Sequence, residues 1–570
     1  MGGFFGCEVA SDAAAHRVLA GMTTSVAVAH VAAHAVSPAC AWFGERDAGG
    51  ARSGDDWLVV SGYVRSGRAV IDAAALLERL RARGERAIEG LSGEFALAAR
   101  VRGVTFVARD HHGTRPAYFA ELPSGGHAFA TAIGPLIAGG VTSEVDRGGV
   151  VTSLVLGYVP APATSLRHVR QVAPGEIVRF ERRPVARRYY APRERCDPKR
   201  SMSMAARQLD RALTQAVAMA PAAGRVGAFL SGGLDSSLVA ARLHELGRTF
   251  EAYTLHFGDS LPSEIRYARA VARHLGVRHH VFELGPRAFC DAIEPALLHL
   301  EDLLSEPIAV PNYLLAREAA RTCDVLFTGE GGDPLFGGPK NIGMVLEGLY
   351  GARRLGSAYM SAHHHLADDL DEALTPEWRE SFDADALRQD VERRFERTRP
   401  GETFVGQLMV TNLALKGGNN ILVKVAKMVG AHDLALRSPL FDRAVVDLAL
   451  TIPPWQKLHG TDEKIVLKRA VARSLPAVVV HRPKRGMAVP LRAWFEGELG
   501  VYARDVLTAR RVRERGIFRW KYVERLLAGQ RFATDLARPR TAEKLWLVLI
   551  TELHQRSLER LARPGTRKAS

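Results

Sequence analysis

Cysteine is scarce: five in 570 residues. Cys7, Cys40, Cys196, Cys290 and Cys323 are scattered, odd in number and form no CxxC pair. That excludes a zinc ribbon and a disulfide-stapled scaffold, and it places the chain in a reducing, cytoplasmic compartment. Long apolar runs are missing as well. No stretch approaches the ~18 consecutive apolar residues of a membrane-spanning helix, so no membrane partner is expected. The opening Met1-Gly2-Gly3-Phe4-Phe5-Gly6-Cys7-Glu8 has no basic stretch ahead of its apolar residues and reads as a strand rather than a secretory signal. There is no internal repeat. Aromatic residues make up 7% and are not interleaved with basic ones in a stripe, so nucleic acid is not an expected partner.

What is present is an ordinary globular composition, 47% hydrophobic and 24% charged, which excludes a disordered or fibrous chain. The length suits roughly three to four domains of average size, or two large ones. The formal charge of +15 suggests an anionic partner. The arginines are spread along the chain, however, and describe a solvated basic surface equally well.

Two textures divide the sequence. Residues 1–195 read as an α+β domain. Trp57–Val64, Phe95–Val101 and Val104–Arg109 are strands, the last two joined at Gly103, and one clear helix runs from Asp72 to Arg83 with Leu76, Leu77 and Leu80 on one face. Ala191–Pro198 reads as a linker. From residue 203 to 570, short apolar strands (Val226–Leu230, Glu251–Phe257, Arg278–Glu283, Val325–Thr328) alternate with helices (Ser236–Leu246, Ser263–Leu275). That alternation predicts a parallel sheet with right-handed crossovers. Beyond about residue 340 the pattern is helical.

The most informative segment is Leu230-Ser231-Gly232-Gly233-Leu234-Asp235-Ser236-Ser237, between a buried strand and a helix. Its glycines let the backbone turn tightly and expose N–H groups. Its serines add hydroxyl donors, and the helix start adds a positive dipole end. Together these form a cradle for phosphate, and Asp235 supplies a carboxylate to hold Mg²⁺ beside it. No Lys-Ser or Lys-Thr pair follows the glycines, so the loop is not a Walker A motif.

The segment resembles the PP-loop of the ATP pyrophosphatases, which split ATP into AMP and pyrophosphate while activating a carboxylate as an adenylate. Further segments resemble the asparagine synthetases of class B. These are Thr328-Gly329-Glu330-Gly331-Gly332-Asp333-Pro334-Leu335-Phe336-Gly337-Gly338, Ser305–Leu315, Leu436–Asp442, Glu463–Lys468 and Arg482–Pro490. In the first part of the chain, Leu91–Ala96, Ala108–Phe119 and Val172–Glu176 resemble the glutaminase half of those enzymes. The resemblance implies an α+β Ntn-hydrolase-like domain over 1–195. It implies an α/β PP-loop synthetase domain over 203–570, with a parallel sheet of the adenine nucleotide α-hydrolase type and a helical C-terminal part. ATP and Mg²⁺ are the implied cofactors. Leu230, Ser231, Gly232, Gly233, Asp235, Ser236, Ser237, Phe257 and Gly329 are the implied ATP- and pyrophosphate-binding residues, with Asp235 and Asp333 as metal ligands. Glu330, Lys464 and Lys484 are the implied catalytic residues, Lys484 facing the departing pyrophosphate and Glu330 orienting or deprotonating an amine.

The glutaminase half of that family uses a Cys directly after the initiator Met, and here that position reads Gly2, which has no side chain. Cys7 reads instead as a buried small hydrophobe. The expectation is a domain that no longer hydrolyses glutamine, so that the amine comes with the substrate. Among relatives the chain most resembles the lasso-peptide cyclase, a macrolactam synthetase joining a peptide's N-terminal amine to an Asp or Glu side chain. The alternatives are an ammonia-dependent asparagine synthetase-like enzyme, a β-lactam synthetase-like enzyme, which carries Tyr where this chain has Glu330, and a tRNA-modifying PP-loop enzyme. The expected partners are a carboxylate-bearing small molecule or precursor peptide, with a leader protease and a leader-binding protein. The runs His363-His364-His365 with Asp368 and Asp369, His279-His280 and His111-His112 read as solvated faces rather than metal sites. Trp494, Phe495 and Trp546 read as core.

Overall fold

The computed structural model describes residues 3–9, 11–27, 33–44, 47–258, 261, 264–337, 356, 359–360, 365–396, 403–482, 487–532 and 540–562. The amino-terminal part is a sandwich of two antiparallel sheets. One runs in the order Val169–Gln171, Tyr118–Glu121, His127–Ala130, Gly3–Glu8, Cys40–Phe43, Ala33–Ser37. The other runs Val185–Arg188, Glu176–Phe180, Val104–Arg109, Ser92–Val101, Asp56–Ser66, Ala48–Ser53, with Ala69–Ile71 paired to Asp56–Ser66. The apolar run at 57–60 is continuous because both faces of its strand are covered. Trp57 and Val59 join Phe4, Ala98, Val107 and Phe129 between the sheets. Leu58 and Val60 pack outward beneath Leu76, Leu77 and Leu80 of the helix Ala73–Arg83. Asp72 caps that helix by accepting the Ala75 N–H at 2.8 Å.

Three further helices, Asp12–Ala27, Ile133–Ala138 and Arg147–Leu156, add to the one that the sequence pattern shows. The last is apolar on nearly every side, with Val150, Val151, Leu154, Val155 and Leu156 all buried, so it has no amphipathic period to betray it. The linker has no regular structure over 191–197. Its Arg195 and Asp197 amides donate to Leu450 and Thr451 carbonyls at 3.0 Å each, which pins it to the second domain.

The second domain is built on a five-stranded sheet in the order Arg278–Glu283, Phe250–His256, Val226–Phe229, Val325–Phe327, Ala435–Arg437, every neighbouring pair parallel. The outermost strand was not expected: three residues ending in an arginine carry no readable strand pattern. The first strand in chain order is central, with the second on one side and Val325–Phe327 on the other. The topological switch therefore lies between Val226–Phe229 and Val325–Phe327, and in open α/β sheets ligands bind in the crevice beyond such a point. The loops leaving these two strands are residues 230–233 and 328–331. Helices cover both sheet faces and continue to Ala562, and Trp494 and Trp546 are core residues as expected.

Charged groups link the domains. Asp47 accepts from Arg115 at 2.7 Å and from Arg437 Nη2 at 2.8 Å, and Glu94 accepts the Ser438 N–H at 2.6 Å. Burial pushes the Asp47 carboxyl up, but Arg437 and Arg115 outweigh it and hold it below its ordinary value. Glu94 lacks a direct cationic contact of that kind, and burial raises it to about 7.

Candidate active site

The strand Val226–Phe229 ends at Leu230, whose N–H donates to Tyr253 O at 2.8 Å and whose carbonyl accepts from Thr254 Oγ1. The chain then reverses through Gly232 at φ +72°, where a Cβ would lie 2.4 Å from the Ala268 nitrogen. Only glycine fits this turn. Ser231 and Ser236 hold the loop shut. Their hydroxyls are 3.0 Å apart, the Ser231 N–H donates to Ser236 Oγ at 3.2 Å, and Ser231 Oγ accepts the Gly233 N–H at 3.2 Å. The helix Leu234–Glu245 follows. Ser237, in its first turn, is fully buried and its hydroxyl has no hydrogen-bond partner. A buried hydroxyl left this way at a helix N-terminus fits an anion acceptor.

The second loop closes against the first. A Cβ on Gly329 would lie 2.4 Å from Ser236 N, and one on Gly332 would lie 2.1 Å from Asp235 Oδ1. Two glycines thus allow the segment carrying Glu330 and Asp333 to press onto the phosphate-type loop. Lys464 joins them. Its ammonium lies 2.5 Å from Asp235 Oδ2 and 2.5 Å from Asp333 Oδ1, and the side chain is 2% exposed. Burial would lower the Lys464 ammonium, but the two carboxylates overcome this and hold it charged. Lys464 adopts φ +57°, unusual for a non-glycine residue, and starts the helix Ile465–Val471. Phe257, just past the strand Phe250–His256, packs edge-on against Trp494 with ring centroids 5.5 Å apart. The sequence-derived residues Ser231, Gly232, Gly233, Asp235, Ser236, Ser237, Gly329, Asp333 and Lys464 therefore meet at one crevice. Gly2 and Lys484 lie outside the described residues, as do Gly338, His363 and His364.

Glu330 sits deeper. Burial raises its carboxyl above the ordinary value; Lys424 opposes this, while Asp333, Glu306 and Asp235 add to it. Glu306 gathers the Lys416 ammonium at 3.2 Å, the Asn420 amide at 3.0 Å and the Lys424 ammonium. Lys416 and Asn420 come from a π-helical segment, Leu413–Ile421. Such widened helices are rare and concentrate at functional sites. Glu306 lies in a motif that the sequence singles out, but its lysine and asparagine partners carry no motif of their own. Arg482 also went unassigned. It is stacked on Tyr267, bonded to Glu264 at 2.8 Å, and one of its nitrogens would lie 3.9 Å from a Cβ on Gly233. This places a buried guanidinium beside the phosphate-type loop.

Several histidine and acidic runs need correction. His111 and His112 are 3% and 5% exposed, not solvated. They pack against Tyr190, and burial drives them down to about 2 and about 3, so they stay neutral. Asp369 is likewise buried, accepting from Tyr522 and paired with Lys544, each at 2.7 Å. His279 and His280 lie on the expected strand Arg278–Glu283 and are half-buried rather than solvated. Among the described residues no cluster of three His, Cys, Asp or Glu side chains is arranged to hold a metal, and no helix is long and apolar enough to cross a membrane. Cys7 is fully buried, as expected.

A family profile described as asparagine synthase matches residues 208–556, and one described as glutamine amidotransferase domain matches residues 65–191. The chain is 31% identical over 468 residues to a putative glutamine-hydrolysing asparagine synthetase of Mycobacterium tuberculosis, covering 75% of this chain and 72% of that one. It is 25% identical over 469 residues to a glutamine-hydrolysing asparagine synthetase of Bacillus subtilis, covering 76% and 74%.

Proposed function

The chain belongs to the asparagine synthase family, and from that premise we propose that it is a macrolactam synthetase. It is an ATP-dependent carbon–nitrogen ligase that releases AMP and pyrophosphate. In the proposed reaction a substrate's Asp or Glu side-chain carboxylate attacks the α-phosphorus of ATP, and pyrophosphate leaves. The substrate's own N-terminal amine then attacks the acyl carbon, and AMP leaves with one carboxylate oxygen. The substrate is a precursor peptide of the lasso type.

The residues take the following parts. The Ser231–Gly233 turn, the Ser237 hydroxyl and the start of the 234–245 helix receive the phosphates. Arg482 lies beside that turn and offers positive charge to the departing pyrophosphate, the part that the family resemblance gives to Lys484. Asp235 and Asp333 converge on one ammonium, so the position favours a cation, and the same pair suits Mg²⁺ carried in on ATP. When bound, that ion neutralises phosphate charge. Glu330 takes the proton of the attacking amine. Its raised carboxyl makes it a stronger base than an exposed glutamate, and the Lys424–Glu306 pair fixes the field it sits in.

The observation that carries the intramolecular reading is the state of the amino-terminal thiols. Residues 1–195 hold two cysteines, Cys7 and Cys40. Both are fully buried and pushed up by burial to about 12. Neither presents a thiolate to glutamine, which supports a nitrogen that arrives on the substrate. Tethering amine and carboxylate in one molecule also disfavours hydrolysis of the adenylate.

The test incubates the protein with ATP, Mg²⁺ and a peptide core bearing a free amine and one Asp or Glu acceptor. Loss of one water from the peptide, abolished when the acceptor becomes Ala, is the expected result. Efficient formation of asparagine from aspartate and ammonia, with no peptide cyclised, would establish the ammonia-dependent reading instead.

A further inference from the structure

The π-helical segment Leu413–Ile421 has two neighbours of different kinds. On one side, Lys416 and Asn420, with Lys424 just beyond the segment, surround Glu306. On the other, the amino-terminal domain presses a buried turn against it. A Cβ on Gly418 would lie 2.5 Å from the His112 carbonyl oxygen and 2.5 Å from the Pro174 ring, so glycine is required for this approach.

The turn is rigidly specified. Asp110 accepts the N–H groups of His112, Gly113 and Thr114 at 3.0, 2.9 and 2.9 Å. Arg109, 0% exposed, then spends its guanidinium entirely on backbone carbonyls. Nε donates to Arg115 O at 2.6 Å, Nη1 to Val172 O at 3.0 Å, and Nη2 to Gly113 O at 2.7 Å and Gly418 O at 2.6 Å. Three of these acceptors are in its own domain. The fourth is the middle of the ligase helix. A buried cation directed at carbonyls forms strong charge-assisted hydrogen bonds, and losing it leaves several acceptors bare at once. The Asn419 side chain adds a second tie, accepting the Ala161 N–H at 3.2 Å.

We propose that Arg109 is a positioning residue of the ligase site: through the Gly418 carbonyl it sets where the π-helical segment places Lys416, Asn420 and Lys424 around Glu306, and hence the surroundings of Glu330. The amino-terminal domain thereby serves the amide-forming half of the reaction without chemistry of its own. The inference rests on the reading of Glu330 as the group that takes the amine proton. It predicts separation from ATP binding, because the phosphate-type loop is held by its own serines and by the helix Ile265–Leu275.

The experiment compares Arg109→Met, Arg109→Lys and, as a control at the same interface, Tyr190→Phe, which removes only a 2.7 Å bond to Asp447. Amide hydrogen exchange is followed across residues 413–421 and 226–245, and AMP release is measured with ATP, Mg²⁺ and the peptide core. In Arg109→Met, exchange over 413–421 should quicken about tenfold or more with 226–245 unchanged. Turnover should fall by about 100-fold with the KM for ATP within about twofold, the effect of a misplaced catalytic group rather than a lost substrate site. Arg109→Lys should recover part of the turnover, and Tyr190→Phe should match the unaltered protein. Unchanged exchange over 413–421 overturns the proposal. So does faster exchange shared by 226–245 with a raised KM for ATP, which marks general loosening. Should the unaltered protein release no AMP with any peptide, the proposed function fails, and the exchange comparison still decides the role of Arg109.

Discussion

Replacing Glu330 with Gln removes the carboxylate while keeping its shape, and replacing Lys424 with Met changes the field around it. Glu330 is needed unprotonated when the amine attacks, so turnover should rise with pH as the carboxyl loses its proton. Burial has already moved that limb above the ordinary glutamate range, and Lys424 is the group holding it down. Removing a cation whose field acts on a carboxylate raises its pKa. Lys424→Met should therefore carry the acid limb to higher pH, the more so because Glu306 loses the same partner. Glu330→Gln should erase the limb and lower kcat by about 10²–10⁴, the usual share of a general base, or about 3–5 kcal/mol on the barrier. The assay is the initial rate of AMP release at saturating ATP and peptide across a pH series. A Glu330→Gln protein with near-normal kcat and an unaltered limb would refute the reasoning. A limb that stays put or moves to lower pH in Lys424→Met would refute it equally.

Three further outcomes follow from the geometry. Lys464→Met leaves Asp235 and the half-exposed Asp333 facing each other without their shared ammonium, a loss of at most about 3–5 kcal/mol, the value for a fully buried ion pair; its denaturation midpoint should become dependent on Mg²⁺, and equal midpoints in Mg²⁺ and Na⁺ would contradict this. Gly232→Ala, with no room for a Cβ and φ +72°, should abolish ATP turnover while leaving the amino-terminal domain's hydrogen exchange intact; a Gly232→Ala protein that still turns over ATP would contradict it. Glu94 is raised from 4.5 to about 7, so the folded state holds a proton that the unfolded chain has released; its contribution is present below about pH 4.5 and is lost as pH rises through 7, and Glu94→Gln should stabilise the protein at pH 8 by at most about 3 kcal/mol with little effect at pH 4. Equal urea midpoints for both proteins at pH 8 would contradict that.

The nucleotide side of the site was legible because its chemistry is local. Ser231 to Ser237 form one contiguous turn, and residues 329–333 form another, so the glycines and carboxylates that meet in space already stand together in the chain. The amide-forming side was not. Glu306 is separated by more than a hundred residues from Lys416, Asn420 and Lys424, and a π-helical segment follows no 3.6-residue pattern that would show them sharing a face. The strand Ala435–Arg437 escaped for a related reason: its arginine points to a loop until Asp47 of the other domain is seen to neutralise it. Burial of His111 and His112 likewise depends on Tyr190 and Phe441, which reach them only in the assembled fold.

Adenylation of the substrate's own carboxylate is the central claim, and oxygen transfer tests it most directly. A peptide core labelled with ¹⁸O in both oxygens of its acceptor carboxylate is incubated with the protein, ATP and Mg²⁺, and the nucleotide product is weighed. Each AMP should carry one ¹⁸O, the other remaining in the new amide. Unlabelled AMP, or ADP and labelled phosphate, would contradict the account.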